Sequence, residues 1–400
     1  MTTYRYPRAL CASALASASA ALVAGTLALT PGLVLAQANT VKIGVILPMT
    51  GPSASTGRQI DAAIKLWVAQ NGTRAGGKTV EVIIKDDGGV ADTTRRLAQE
   101  LVVNDKVVAL AGFGLTPLAL ACAPIATQSK TPMVVMAAAT SAITEASPYI
   151  LRTSFTLPQA AVSIADWAAK NKIKRVVTLV ADYGPGNDAE KYFYERFRLN
   201  GGQVLDKLRT PLRGADFAPV LQKVRDAAPD ALFVFLPSGQ GAAFMKQYAE
   251  RGLDKAGIKL IATGDVTDDD QLGDMGDVAL GVVNAHHYSA AHDSPANKKF
   301  VDAFQAANKF RPNFMAVGGY DGMRLLYTGL NTSKGAGGDA LLAAMKGQLF
   351  ESPRGPVLID AQTRDIVQDI YIRKVERVNG QLYNIEFDTL KQVKDPGKLK

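Results

Sequence analysis

The chain has 400 residues, with 45 Lys and Arg against 37 Asp and Glu, which gives a formal net charge of +8. The basic residues are scattered along the sequence and do not interleave with aromatic residues, which argues against a nucleic-acid partner. A chain of this length is expected to form two domains rather than one hydrophobic core.

The first 38 residues have the three parts of an export signal. Arg5 and Arg8 give a positive start, an apolar stretch rich in small residues follows, and cleavage could follow Ala36 or Ala38. A membrane anchor is the alternative, but glycine, proline and serine make the stretch less apolar than most spanning helices. We therefore predict a signal peptide over residues 1–38 and a mature protein in the periplasm.

Beyond the leader, short apolar runs alternate with longer amphipathic stretches. The predicted strands lie at 41–47, 79–85, 107–111, 133–136, 176–180, 203–208, 231–236, 259–262 and 281–284. The predicted helices between them lie at 59–71, 93–104, 117–128, 159–171, 188–200, 217–227 and 242–251. Strands that are apolar on both faces and alternate with helices are typical of a parallel sheet covered on both sides.

This alternation occurs twice, with a break over residues 140–153. After about residue 285 the pattern changes to further helices (297–308, 319–331, 339–346) and β-rich segments (357–360, 366–375, 382–386). Two similar α/β halves joined by more than one crossing predict a bilobed molecule with a cleft. Ligands of such sheets bind at the carboxyl ends of the strands.

The turn at residues 112–117 resembles a dinucleotide-binding fingerprint, but Pro117 stands where the third glycine belongs. The better interpretation is a helix start, with Thr116 as the capping residue and Pro117 at the first helical position. The free amides and positive dipole end of such a helix suit a carboxylate. The segment 137–141, after the next strand, is either a second anion-binding loop or an ordinary turn.

Two loops of the second half present further candidates. Tyr183 stands at a strand end before Gly184 and Pro185, where it either closes over a cleft or lies in a plain turn. Asp265 follows the strand at 259–262 and could pair with a ligand ammonium group. The alternative is that Asp265 caps a helix running from Asp268.

Neither a metal site nor a catalytic motif is predicted. His286, His287 and His292 stand close together, but the side chains of the adjacent pair should diverge in an extended chain, and the spacing fits no zinc motif. The acidic residues over 268–277 lack calcium-loop spacing. After removal of Cys11 with the leader, Cys122 stands alone, and we expect a buried apolar residue rather than a reactive thiol.

These segments, in their order, resemble the periplasmic substrate-binding proteins of ABC importers, in the branched-chain amino acid (Leu/Ile/Val-binding) class. The resemblance covers residues 41–386 and is carried by the segments 43–52, 86–87, 123–126, 138–140, 151–153, 182–184 and 318–321. It implies a type I clamshell of two doubly wound parallel-sheet α/β lobes joined by a multi-strand hinge. Lobe 1 would comprise residues 39–152 and about 286–350, and lobe 2 residues 153–285 and about 351–400.

The same resemblance implies roles for individual residues. From lobe 1, the ligand carboxylate would be held by Thr116, Ala138, Ala139 and Thr140. From the rest of the molecule, Asp265 would meet an ammonium, Tyr183 would cover the ligand, Tyr320 would line the side-chain pocket, and Ser238 and Gln240 would lie near the opening. Thr56 stands where leucine-binding members commonly place an aromatic residue, which leaves amino acids, aromatic or other organic acids, amides and urea-like solutes open.

The function implied is capture of a small amino acid-like or organic-acid ligand and its delivery to the membrane permease of an ABC importer. Such a protein is expected to be a monomer without a cofactor or enzymatic activity. Two alternatives are a secreted α/β hydrolase and a ligand sensor that uses the same clamshell. A hydrolase needs an activated nucleophile beside a base, which is hard to assemble from three clustered histidines.

Overall fold

The computed structural model describes residues 39–399, so the predicted signal peptide lies outside the described residues. Its strands are β1 (Thr40–Leu47), β2 (Arg74–Ala75), β3 (Lys78–Asp86), β4 (Ala109–Gly112), β5 (Met133–Val135), β6 (Ile150–Arg152), β7 (Arg175–Ala181), β8 (Gln203–Thr210), β9 (Ala231–Phe235), β10 (Lys259–Thr263), β11 (Val283–His286), β12 (Leu349–Ser352), β13 (Gly355–Ile359), β14 (Ile366–Val378) and β15 (Gln381–Val393). Its α-helices are α1 (Ala54–Asn71), α2 (Ala91–Val103), α3 (Thr116–Ser129), α4 (Leu157–Lys170), α5 (Gly184–Leu199), α6 (Ala218–Ala227), α7 (Gly241–Glu250), α8 (Leu272–Met275), α9 (Pro295–Asn308), α10 (Phe314–Thr332) and α11 (Gly338–Met345).

The first sheet has the strand order β2-β3-β1-β4-β5-β6. All neighbours pair in parallel except the short edge strand β2, which is antiparallel to β3. Helices cover this sheet, and the central strands β4 and β5 are buried along their whole length. This is the covered parallel sheet that the sequence pattern predicts.

The second sheet is mixed rather than purely parallel. Strands β11, β10, β9, β7 and β8 are parallel neighbours, and β14 then pairs antiparallel with β11. The β-rich end of the chain supplies β12 to β15, all antiparallel to their partners. The two-lobed α/β fold is confirmed, and the C-terminal strands extend the second sheet.

Most predicted helices and strands have counterparts in the structure. Helix α1 begins at Ala54 rather than residue 59, so Thr56 lies in a helix. Strands β2, β6 and β12 and helix α8 were not predicted, because two to four residues are too few to show a period. Several helices have proline in their first turn, where a missing amide proton costs nothing.

Buried arginines connect the segments that cross between the sheets. The Arg354 side chain is fully buried, and its guanidinium pairs with Asp321 on α10 at 2.7 Å. It also donates hydrogen bonds to the carbonyl oxygens of Thr153 at 2.7 Å and Ser154 at 3.0 Å. Helix α10 packs on α1 of the first sheet, whereas β12 to β15 belong to the second sheet. The lobe boundaries given above stay a proposal.

Two smaller observations complete the fold. Cys122 is buried, and burial raises the pKa of its thiol to about 12, as expected for a packing residue rather than a reactive one. Across residues 39–399, no helix has both the length and the apolar character needed to cross a membrane.

Candidate ligand-binding site

A cavity lies where carboxyl ends of strands from the two sheets meet. It encloses about 370 Å³ of empty space, open solvent included. Apolar side chains dominate its wall, with few polar groups. Its lining residues are Thr56, Gly114, Leu115, Thr116, Ala137, Ala138, Ala139, Phe155, Leu157, Tyr183, Pro185, Phe235, Pro237, Ser238, Asp265 and Met315.

The turn before α3 forms one part of the first-sheet wall. Thr116 is the first helical residue and makes no side-chain cap, so the prediction that it caps the helix is wrong. Its hydroxyl instead lies 2.8 Å from the hydroxyl of Thr140. The glycines of this turn serve close packing: a methyl group on Gly112 would lie 2.3 Å from the carbonyl oxygen of Ile46. Close packing therefore accounts for the glycine at this position without a bound nucleotide.

The segment 137–141 forms the next part of this wall, and Arg152 holds it from behind. The guanidinium donates to the carbonyl oxygens of Ala138 at 2.8 Å and Thr140 at 2.6 Å, and pairs with Asp365 at 2.7 Å. Ala138 and Ala139 line the cavity, whereas Thr140 does not, and its hydroxyl contacts that of Thr116. A loop fixed in this way keeps its backbone in place when a ligand binds.

Tyr183 and Phe235 form an aromatic part of the second-sheet wall. Their rings stack with centroids 6.0 Å apart, and Tyr183 directly precedes α5. Burial, and then the charge of Asp265, raise the pKa of Tyr183 well above its ordinary value. The phenol is therefore neutral at physiological pH and can donate a hydrogen bond.

Asp265 is the carboxylate of the cavity wall and is only 4% exposed. Its Oδ2 accepts a hydrogen bond from the Thr263 hydroxyl at 3.0 Å and lies 3.6 Å from Nε2 of His286. Burial lowers the pKa of His286 to about 4, against the attraction of Asp265. The imidazole is therefore neutral at physiological pH.

The adjacent histidines do not diverge as predicted. The rings of His286 and His287 lie 4.4 Å apart, and both pack against Phe155 at centroid distances of 4.8 and 4.7 Å. The chain leaves its extended course after β11, which ends at His286, and this turns both rings to the same side. Within residues 39–399, no cluster of His, Cys, Asp and Glu could hold a metal ion.

Asp265 does not cap a helix running from Asp268, because Asp268 is a buried loop residue. Asp268 is 1% exposed and accepts hydrogen bonds from the Ser238 hydroxyl, from Nδ2 of Asn313 at 3.0 Å and from the amide of Asp270 at 3.1 Å. Burial raises the pKa of Asp268 to about 7. The helix that follows begins only at Leu272.

Three predicted residues lie outside the cavity, namely Thr140, Tyr320 and Gln240. Tyr320 packs between Trp67 and Phe300, and its hydroxyl donates to Gln70 at 2.6 Å. On α10 the residue that lines the cavity is Met315. Tyr320 is five residues further along this helix, so its side chain points about 140° away from that of Met315 around the helix axis. Tyr320 therefore faces α1 instead.

Gln240 also lies outside the cavity. Its side-chain amide donates to the carbonyl oxygen of Leu212 at 2.7 Å, and the residue lines a neighbouring cavity that shares Leu115, Pro237 and Ser238 with the first. Of the predicted residues, the structure brings together Thr56, Thr116, Ala138, Ala139, Tyr183, Ser238 and Asp265.

Sequence reasoning missed the apolar part of the wall. Phe235 ends strand β9, so the rule that ligands meet strand ends could have found it. Phe155 and Leu157 lie in the crossing after β6, a strand too short to predict. For Met315 the sequence carries no such indication.

Comparisons with known proteins agree with this geometry. The family model for periplasmic binding proteins matches residues 40–381. A Leu/Ile/Val-binding protein homolog from Brucella abortus (strain 2308) is 44% identical over 368 residues, which cover 90% of this chain and 94% of the relative.

Two solved structures carry aromatic ligands. A solute-binding protein of an ABC transporter from Rhodopseudomonas palustris BisB5, in complex with 3,4-dihydroxybenzoic acid, is 62% identical with a TM-score of 0.89, over 90% of this chain and 100% of that one. An ABC transporter solute-binding protein from R. palustris, in complex with 4-hydroxybenzoate, is 42% identical with a TM-score of 0.88, over 90% of this chain and 99% of that one. The chain therefore belongs to the periplasmic binding protein family, as the sequence resemblance implied.

Proposed function

We propose that the protein is the periplasmic solute-binding component of an ABC importer and that it captures a small aromatic carboxylate between its two lobes. The observation that carries this proposal is that three aromatic side chains line the cavity, those of Phe155, Tyr183 and Phe235. Flat aromatic walls favour a flat aromatic ligand, because stacked or edge-on rings bury a large apolar area. The predicted export leader supports the periplasm as its location.

The first-sheet wall suits the carboxylate of such a ligand. Helix α3 begins at Thr116, which lines the cavity with Leu115, so the helix start and its positive dipole end lie at the cavity wall. The hydroxyls of Thr56 and Thr116 add polar groups on the same wall. The 62% identical relative with 3,4-dihydroxybenzoic acid supports an aromatic acid more strongly than the 44% identical Leu/Ile/Val-binding homolog supports an amino acid.

The arrangement of the buried polar groups argues against the hydrolase alternative. In a hydrolytic triad the histidine lies between the nucleophile and the acid. Here Asp265 lies between Thr263 and His286, and the Thr263 side chain is fully buried. The group is built to hold a carboxylate in place rather than to activate a nucleophile.

Thermal shift and calorimetric titration of the leaderless protein test the proposal. We expect benzoate derivatives to raise the melting temperature, because a ligand at 100 times its Kd stabilises the native state by about 2.7 kcal/mol. Leucine and valine serve as the comparison ligands. Stabilisation by leucine but by no aromatic acid would reject the aromatic ligand, and conversion of the ligand on incubation would reject a pure binding role.

A further inference from the structure

Asp265 places a nearly dry negative charge in the wall of the cavity. Among the described residues that line the cavity it is the one carboxylic acid, and its exposure is 4%. A buried carboxylate oxygen that lacks a hydrogen-bond donor is costly, so the ligand group that faces Asp265 in the bound state should be a donor.

The second lobe holds this carboxylate from behind. Its polar contacts in residues 39–399, the Thr263 hydroxyl at 3.0 Å and Nε2 of His286 at 3.6 Å, both reach Oδ2. The His286 ring is itself fixed between Phe155 and His287. Behind Gly264 lies the buried Arg373 guanidinium, which interacts electrostatically with Asp269, with Glu386 and less strongly with Asp265. Oδ1 is the oxygen left for a ligand.

The two walls then orient an aromatic acid. Thr116 and Ala139 belong to loops of the first sheet, and Asp265 belongs to a loop of the second. A ligand carboxylate beside Asp265 would be repelled, so it should face the helix start at Thr116. The edge of the ring opposite the carboxylate then meets Asp265.

We propose that Asp265, positioned by Thr263 and His286, accepts a hydrogen bond from a ligand hydroxyl opposite the carboxylate, and thereby selects 4-hydroxylated aromatic acids over benzoate. This inference rests on the proposed function and specifies its ligand. An unsubstituted ring presents only C–H groups to Asp265 and leaves Oδ1 without a donor, while Oδ2 keeps the Thr263 hydroxyl. Sites built around a substrate hydroxyl reject analogues that lack it more strongly than apolar pockets reject a methylene.

Isothermal titration with four ligands tests the inference: 4-hydroxybenzoate, benzoate, 2-hydroxybenzoate and 4-fluorobenzoate, whose fluorine has nearly the size of a hydroxyl but no proton. We expect the wild-type protein to bind 4-hydroxybenzoate about 100-fold more tightly than the other three, since leaving a buried charged acceptor unpaired costs that much. Equal binding of benzoate and 4-hydroxybenzoate would overturn the inference and leave the proposed function standing. Binding of no aromatic acid would instead reject the proposed function.

Substitutions assign the selectivity to Asp265. In Asp265→Ala we expect the ratio of the two Kd values to fall to within a fewfold, with benzoate bound at least as tightly as by wild type. Asp265→Asn keeps the shape without the charge and should also lower the ratio, so it decides the matter if the alanine variant does not fold. A ratio unchanged in the folded variants would overturn the assignment.

His286 is a positioning residue in this proposal, and its test uses the same ratio. His286→Leu should weaken 4-hydroxybenzoate binding while benzoate binding is kept, and His286→Gln, whose amide reaches as far as Nε2 and can donate to Asp265, should restore part of the selectivity. An equal loss for both ligands in both variants would show a purely structural histidine.

Discussion

At the scale of single residues, three acids that follow β10 differ in the groups that surround them. Asp265 faces the cavity, Asp268 is buried with three donors, and Asp270 accepts hydrogen bonds from Ser55 and Arg58 of the first lobe at 2.7 Å each. The sequence places all three in one acidic loop. Only their neighbours in space distinguish the acid that lines the cavity from the acid that contacts the first lobe.

Asp268 leads to a prediction about pH and stability. Its pKa is about 7 in the folded protein against 3.8 ordinarily, so between these values the folded state holds a proton that the unfolded state has lost. Its contribution to the free energy of unfolding is therefore present at low pH and is lost as the pH rises from about 4 to about 7. Asp268→Asn removes this dependence.

Chemical denaturation of wild type and Asp268→Asn from pH 5 to 8 measures the effect. We expect the stability of the variant relative to wild type to increase up to about pH 7 and then to stay constant. His286, whose pKa is lowered to about 4, contributes the opposite slope, but it is present in both proteins and cancels. A difference that does not change with pH would contradict the raised pKa of Asp268.

At the scale of elements, the starts of α3 and α5 face each other across the cleft. Gly184 opens α5, and a methyl group there would lie 2.6 Å from the Thr140 hydroxyl oxygen and 3.4 Å from Thr116 Cγ2. The missing side chain of Gly184 therefore lets the two lobes approach. Its backbone conformation is ordinary, so packing and not backbone freedom accounts for the glycine.

Gly184→Ala should weaken ligand binding without unfolding the protein. The added methyl meets the opposite lobe only when the cleft is closed, and overpacking of this kind costs about 1–3 kcal/mol. Gly273→Ala is the matched control, because a methyl there meets nothing within 4 Å. Calorimetric Kd values that are the same for both variants would contradict a closed cleft with this contact.

The elements also show how far sequence patterns reach. Central strands such as β7 and β9 are apolar throughout and bounded by helices, so their position follows from the sequence. Strand β6 forms because its three residues pair in parallel with those of β5. The local sequence pattern does not predict this pairing. Helix α1 begins at Ala54 inside a stretch of glycine, proline, serine and threonine that is typical of a loop.

At the scale of the whole molecule, buried ion pairs connect the crossing segments to the lobes. Arg354 joins Asp321 on α10, the carbonyl groups of the first crossing and Gln368 on β14 at 2.9 Å. Both members of the Arg354–Asp321 pair are fully buried. Such a pair adds little net stability compared with apolar residues, but the loss of one partner leaves the other charge buried and unpaired.

Arg354→Leu should therefore destabilise the protein by about 3–5 kcal/mol, measured by urea denaturation. The double variant Asp321→Asn, Arg354→Leu should recover part of this loss, because no charge remains stranded. Arg95→Leu, which removes an exposed partner of Asp92 on α2, is the control and should change stability little. Comparable losses for Arg354→Leu and Arg95→Leu would contradict a central role for the buried pair.

The sequence by itself determined the order of strands and helices, the two-lobed α/β class and the family, because burial of β-strands and amphipathic helices leaves a local periodic record. It also indicated Thr116, Tyr183 and Asp265, which follow strand ends where parallel sheets bind ligands. Only the tertiary structure decided that Met315 and not Tyr320 lines the cavity, that Phe155 joins it, and that Asp265 and Asp268 differ in role. Those outcomes depend on where distant segments meet in space. The hydrophobic period of a strand predicts the strand itself but not its distance from another strand.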